Sequence, residues 1–412
     1  METDISKEWR SWVLEFKQAP DASRRKSTMS SSFPPEILDL IVDHLHDDPT
    51  TLRACCLASQ SWIPRTRAHL FTNVEFRPIS SPIELWTRVF PDPSNSPAHY
   101  VRGLSTGTGS FFTTTGMSAH PWICSFRHVV KLDISYDDGR IPLAPLHGFS
   151  PVLKALLLVY YSVPLSEIFD FICSFPSLED LSLNSLAEVE PEGGWIIPST
   201  SPKLTGKLVF NVVGSWIRPH VRRLLDLPGG LHFSSISITC PIGGAESVVD
   251  LVLGSSDTLV SLRIGYYPSG AFPRHRRSTS TLPLPTDVDV STALPPLTLS
   301  KATRLEDLEF YLSTDTVQWI TRTLQSAKSE HLQRITISTT SFSFSDLDQA
   351  TVRHGWEDLD HVLVQLWTSY SVHPRIKCAK TLEFEYVEGQ VQVLLPGLTS
   401  RGVIDVVESS RW

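Results

Sequence analysis

The sequence predicts an α/β protein in two parts. A three-helix module lies near the start, and an irregular solenoid follows, in which a curved parallel sheet carries outer helices. Three observations lead there. Residues 33–76 place apolar side chains at helical spacing between prolines. An apolar-x-x-apolar-x-apolar pattern then recurs along the chain, mostly every 24 to 29 residues. Between the recurrences lie amphipathic segments, each able to supply a short helix with one buried face.

The opening segment, 1–32, reads as a short helix and a linker. Ile5, Trp9, Trp12, Val13 and Phe16 share one helical face, and QAPDASRRKSTMSSS after them is polar and serine-rich. In the module at 33–76, Pro34 and Pro35 set a rigid start and Glu36 complements the helix dipole. Ile37, Leu38, Ile41, Val42 and Leu45 then recur at helical spacing. His46-Asp47-Asp48-Pro49 breaks that helix, and Thr50 or Thr51 can cap the next, whose stripe is Leu52, Cys55, Cys56, Ser59 and Trp62. Pro64 is expected to end this second helix. A third, roughly Arg65 to Leu70, runs into the strand-like Phe71–Phe76.

Residues 77–125 are a connecting segment rich in Pro, Ser, Thr and Gly, with one short helix expected around Ile83, Leu85, Trp86, Val89 and Phe90. The repeat domain follows at 126–412. Its apolar triads are Val129/Leu132/Ile134, Leu153/Leu156/Leu158, Leu178/Leu181/Leu183 and Phe233/Ile236/Ile238. The series continues with Leu259/Leu262/Ile264, Leu305/Leu308/Phe310, Leu332/Ile335/Ile337 and Ala379/Leu382/Phe384. Leu204/Leu208/Phe210 carries one extra residue and suggests a bulged strand. The gaps of 46 residues to Leu305 and 47 to Ala379 read as insertions or a missed repeat. Residues 268–300 read as a loop insertion, with a basic cluster at Arg274–Arg277. Helices are expected over Ser166–Cys173, Trp216–Leu225, Glu246–Leu253 and Asp315–Leu324.

Composition restricts the function classes. The chain has 412 residues, is 41% hydrophobic and carries a formal net charge of -8, which argues against a general phosphate-binding surface and so against nucleic acid. No stretch approaches the ~18–20 apolar residues of a membrane span, and the start lacks a signal peptide's pattern, so no membrane partner and a cytoplasmic or nuclear location are expected. The six cysteines form no C-x-x-C pair and are expected to be buried, with no metal and no cofactor. His44-Leu45-His46-Asp47-Asp48 imitates a metal site but reads as a helix end. Catalytic signatures are absent: there is no G-x-S-x-G, phosphate-loop, G-x-G-x-x-G or H-E-x-x-H sequence.

The order of residues in 33–76 resembles the F-box, which opens Leu-Pro-x-Glu-Ile/Leu-x-x-x-Ile-x-x-x-Leu and continues with Cys-x-x-Val-Ser-x-x-Trp. Pro34, Pro35, Glu36, Ile37, Ile41, Leu45, Cys56, Ser59 and Trp62 follow it, and Phe33 and Ala58 depart conservatively. A strand and a helix per 24 to 29 residues resembles the leucine-rich repeat, in the divergent form of fungal F-box proteins. The resemblance implies a non-catalytic substrate-recognition subunit of a Skp-cullin-F-box ubiquitin ligase. The Skp-type adaptor, and through it cullin, would be bound by Phe33, Pro34, Pro35, Ile37, Leu38, Ile41, Leu45, Leu52, Cys56, Ser59 and Trp62. The repeats would hold a target protein. The alternative is a leucine-rich-repeat scaffold without a role in ubiquitination; a hydrolase on an irregular α/β fold is a third reading.

Because side chains alternate along a strand, the residues between the apolar positions face outward on the concave sheet. That rule nominates Asp133, Ser135, Ser182, Asn184, Ser237, Thr239, Arg263, Glu309, Tyr311, Thr336, Ser338, Glu383 and Glu385 for target binding. Arg263 and Tyr311 are of types enriched in binding hot spots. Glu309, Glu383 and Glu385 suggest an acidic end to the face and hence a basic target segment.

Overall fold

The computed structural model describes residues 34–76, 86, 88–92, 94, 96–107, 125–135, 143, 146–147, 149–160, 163–185, 199, 201–212, 217–267, 294–312, 316–339, 350–379 and 384–409. The remaining residues include Phe33, the amphipathic start, both basic clusters, Cys124 and Glu383, so those expectations lie outside the described residues. The chain divides into two units, Met1–Tyr160 and Tyr161–Trp412.

The first unit begins with helices α1 (Pro35–His44), α2 (Pro49–Ala58) and α3 (Ile63–Leu70), with a 3-10 turn at Gln60–Trp62. Pro34 stands at the N-cap of α1 with Pro35 directly after it, where a missing N–H costs nothing. The cap of α2 is Asp48 rather than a threonine. Its carboxylate accepts from Thr50 N and Thr51 N, both at 3.1 Å, and from the Thr51 hydroxyl at 2.6 Å. Pro64 lies in the first turn of α3 and opens that helix instead of ending the second. Val42, Leu52, Cys55 and Cys56 make the buried core of the module.

Four parallel strands follow: β1 (Asn73–Phe76), β2 (Gly103–Gly107), β3 (Lys131–Ser135) and β4 (Ala155–Tyr160), paired in sequence order. The expected connecting segment therefore contains a strand, β2. Its sequence Gly-Leu-Ser-Thr-Gly hid it, since Thr106 occupies a buried position where the pattern has an apolar residue. Within the same segment Trp86 is fully buried, with its ring edge-on to Phe71 and Phe76.

The second unit contains α4 (Leu165–Cys173), β5 (Asp180–Ser185), β6 (Lys207–Val212), α5 (Ile217–Leu225), β7 (Ser235–Pro241), α6 (Ala245–Gly254) and β8 (Ser261–Tyr267). It continues with β9 (Asp307–Leu312), α7 (Val317–Gln325), β10 (Arg334–Thr339), α8 (Ala350–Tyr370), β11 (His373–Ala379), α9 (Phe384–Leu394), α10 (Pro396–Thr399) and β12 (Asp405–Ser409). All neighbouring strands from β5 to β12 pair parallel in sequence order. The four helices expected in this unit are α4, α5, α6 and α7.

Several repeats hand their neighbour the same hydrogen bonds. The Ser234 carbonyl accepts from Val260 N and Ser261 N, that of Val260 from Glu306 N and Asp307 N, and that of Glu306 from Gln333 N and Arg334 N. Buried serines add cross-links: Ser329 Oγ donates to the carbonyls of Thr303 at 2.9 Å and Leu305 at 2.8 Å, and in the first unit Ser150 Oγ donates to those of Arg127 and Val129. A backbone carbonyl buried among leucines would otherwise lack a partner.

The expectations for β6 and for the last triad are corrected, and that for the 46-residue gap is narrowed. β6 pairs one-to-one with both neighbours, so the extra residue before it makes no bulge; it falls in the turn at Gly206, where a Cβ would stand 2.0 Å from Asp180 Oδ1. Across the 46-residue gap β8 and β9 pair directly, so no repeat stands between them in the sheet. The last part of the gap is packed, with Leu294, Leu297 and Leu299 buried and the Trp319 indole donating to the Pro295 carbonyl at 2.9 Å. In the second gap α8 fills the space, and the strand is His373–Ala379 rather than one built on Ala379, Leu382 and Phe384. Phe384 and Glu385 belong to α9. Ser371 leads into β11 in the left-handed region, φ 57°, as the cap after α8, with its N–H donating to the Trp367 carbonyl at 2.9 Å.

Candidate functional sites

Two surfaces carry the residues singled out in the sequence. The first is the helical module. α1 is ten residues long and buries only Val42. Ile37 (41%), Leu40 (54%) and Ile41 (43%) on it, with Leu57 (55%) at the end of α2, are exposed large apolar side chains. Pro34, Pro35 and Ser59 are exposed as well, while Leu38, Leu45 and Trp62 are half-buried. Leu52 and Cys56 are buried inside the module, so they hold its core and cannot line a surface. Leu40 and Leu57 are not among the residues the sequence points to, because periodicity marks an apolar face without showing which members are left uncovered.

The module is fastened across its own helices. Asp43 of α1 receives Arg65 Nε at 2.5 Å and Nη2 at 2.6 Å, and His69 Nε2 lies 2.8 Å from the same carboxylate. These hydrogen bonds, Arg65 first and His69 second, hold the Asp43 carboxyl well below the usual carboxylate range. The Thr51 hydroxyl and the Thr51 and Thr50 amides lower the pKa of Asp48 in the same sense. The clamp ties α1, which carries Ile37, Leu40 and Ile41, to α3.

The second surface is the outward sheet face. In the first unit Asp133 is half-buried, and burial pushes its carboxyl up against the pull of Ser135 and Lys131. In the second unit the outward residues of β5–β7, Ser182, Asn184, Ser237 and Thr239, are half-buried and uncharged. From β8 onward the face changes character. Arg263 and Glu309 are register partners with Nη2 3.1 Å from Oε1, and the Arg263 guanidinium lies 4.7 Å from the centre of the Tyr311 ring. The ring has room because its register partner is Gly265, where a Cβ would stand 2.8 Å from Tyr311 Cδ2. Burial raises the pKa of the Tyr311 hydroxyl, and Arg263 opposes that shift.

Ser338 Oγ donates to Glu309 Oε1 at 2.6 Å, and Lys377 Nζ stands 3.9 Å from the same oxygen. The structure thus brings Arg263, Glu309 and Tyr311 into one cluster. Thr336 and Ser338 lie on the same face but are buried between longer neighbours, which removes Thr336 as a contact residue. Glu385 is on a helix, and Glu309 is already paired with two cations, so among the described residues the expected acidic end of the face is not formed. Arg375 and Lys377, which the misplaced eighth repeat concealed, occupy outward positions of β11 beside Thr336 and Ser338.

Cys55, Cys56, Cys240 and Cys378 are buried free thiols and Cys173 is half-buried; burial raises the pKa of Cys173 to about 11. Among the described residues no group of three His, Cys, Asp or Glu side chains could hold a metal ion, and no helix is long and apolar enough to cross a membrane. Scans against protein-family models and curated proteins return no match to this chain.

Proposed function

We propose that the chain is a non-catalytic substrate receptor of a Skp-cullin-F-box type ubiquitin ligase. In this reading the helical module is an F-box that docks on a Skp-type adaptor, and the strand–helix repeats are irregular leucine-rich repeats whose outward face holds a target protein. The receptor does no chemistry of its own. It raises the effective concentration of a target lysine near a ubiquitin-loaded enzyme elsewhere in the assembly.

The observation that carries the reading is the uncovered face of α1. Ile37, Leu40 and Ile41, together with Leu57, are left in water by a helix that contributes one buried residue to its own module. A helix so arranged has its main apolar contacts with something outside the module. The proline-led start and the Asp43 clamp support the same reading, since one sets where α1 begins and the other ties it to α3. The test is capture of a purified Skp-type adaptor by the full chain. Binding that an Ile41→Asp change abolishes, in a protein that stays folded, supports the assignment; no binding by the wild-type chain refutes it.

A further inference from the structure

We propose that the outward face of β8–β12 receives an extended acidic segment of a partner protein, one of whose carboxylates is bound by Arg375. This rests on the receptor reading above and assigns the chemistry of what the repeats hold. Three observations support it. Among the described residues of this face, Asp307 is paired with Arg334 at 3.0 Å and Glu309 with Arg263 at 3.1 Å, while Asp405 has only Arg375 at 3.8 Å. A basic side chain arriving here finds Asp307 and Glu309 engaged.

Arg375 is held differently from Arg263. Its 3.8 Å separation from Asp405 is too long for a hydrogen bond, whereas Arg263 Nη2 lies 3.1 Å from Glu309 and its guanidinium lies over the Tyr311 ring. The Nε of both arginines is buried without a partner, so the terminal nitrogens are what Arg375 offers a ligand. A guanidinium offers five donors in a planar fork that matches a carboxylate. Arg375 therefore sits on the face with donor capacity that its own neighbours do not use. An incoming carboxylate can take it without breaking the Arg263–Glu309 pair.

The register supplies the shape. Arg263, Glu309, Thr336, Arg375 and Asp405 lie in one row across β8, β9, β10, β11 and β12. Strands stand about 4.8 Å apart, so Arg263 and Arg375 are about 14 Å apart, a span that about four extended residues cover. A segment crossing the row can place an apolar or aromatic residue beside Tyr311 and an acidic one at Arg375. One negative charge matches one under-used guanidinium. A phosphate dianion would bring a second charge toward Glu309 and Asp405.

The probe is a fluorescein-labelled peptide of repeating Glu-Tyr-Ser, about twelve residues long, titrated by anisotropy against the full chain. The same peptide with Lys for Glu, and with phosphoserine for Glu, provide the other arms. The acidic peptide is expected to bind about tenfold tighter than the lysine peptide. Arg375→Gln should lose about tenfold, and Arg375→Lys most of that, because an ammonium cannot form the fork. Arg218→Gln, an equal charge loss on α5, should bind as wild type. Equal or tighter binding of the lysine peptide, an Arg375→Gln variant no weaker than Arg218→Gln, or binding confined to the phosphoserine peptide would each overturn the proposal. Adaptor capture is measured on the same preparations. Capture without acidic-peptide binding defeats this inference alone, whereas failure of wild-type capture defeats the receptor reading.

Discussion

Replacing Leu40 and Ile41 of α1 together by serine separates docking from folding. Fully burying a leucine or isoleucine contributes about 1.5–3 kcal/mol, and these two side chains are 54% and 43% exposed, so about half of each remains to be covered. That leaves about 1 kcal/mol per residue for a partner. Over Ile37, Leu40, Ile41 and Leu57 the sum is about 4 kcal/mol, or about a thousandfold in Kd, and the double variant should lose about 2 kcal/mol, about thirtyfold. Its stability should fall by about 2 kcal/mol, from the half of each side chain that the module already covers, so docking is read on protein shown to be folded. Leu52→Ala is the contrasting change. Leu52 is 1% exposed, so truncation should cost about 2–5 kcal/mol of stability and weaken docking only through unfolding of the module. Calorimetric titration with a Skp-type adaptor and thermal melts read the two effects independently. A Leu40→Ser/Ile41→Ser protein that is folded at the assay temperature and binds the adaptor with unchanged affinity would refute the docking argument.

Three further outcomes follow from individual side chains. The depressed pKa values of Asp43 and Asp48 give a contribution to stability that is complete above the unfolded value near 3.8 and is lost as pH falls through the lowered folded values. The module should therefore weaken below about pH 4, and Asp43→Asn should remove part of that dependence; a carboxyl carbon of Asp43 titrating at the ordinary value by NMR would contradict the clamp. Cys173, with its pKa pushed up to about 11, should alkylate at pH 8 about a hundredfold more slowly than an exposed thiol, and equal rates in iodoacetamide mass spectrometry would refute its burial. Ser329→Ala leaves the Thr303 and Leu305 carbonyls without that hydroxyl and should cost about 1–3 kcal/mol in denaturant unfolding; an unchanged midpoint would show that the serine link between repeats is dispensable.

The parts of the fold legible in the sequence are those where burial and backbone pairing coincide. Val129/Leu132/Ile134 and Leu259/Leu262/Ile264 are buried and lead into or lie on β3 and β8, because each repeat packs its apolar positions into the interior of its own unit. The pattern records burial, however, and not hydrogen bonding. Leu294, Leu297 and Leu299 have the same spacing and are buried, yet they form no strand: Leu299 N donates to the Ser326 hydroxyl, and that hydroxyl donates to the Leu297 carbonyl. β11 is the converse case. Its register places Pro374 opposite Ile335 and Cys378 opposite Thr339, so the ladder continues where the apolar triad is interrupted.

That single displacement also decided which site residues could be read. Counting from a strand imagined at Ala379 moved the outward positions onto Glu383 and Glu385, and turned a face rich in arginine into an apparently acidic one. Arg263 and Tyr311 escaped the error because β8 and β9 both carry complete triads, which fix their alternation. Arg375 did not, because alternation gives a side chain's direction only after the strand's register is known. The face chemistry of an irregular repeat protein is thus legible up to the first repeat whose core triad is interrupted. Beyond it, the charge of the outward row has to be taken from strand pairing, and here pairing places Arg375 beside Thr336 and Asp405.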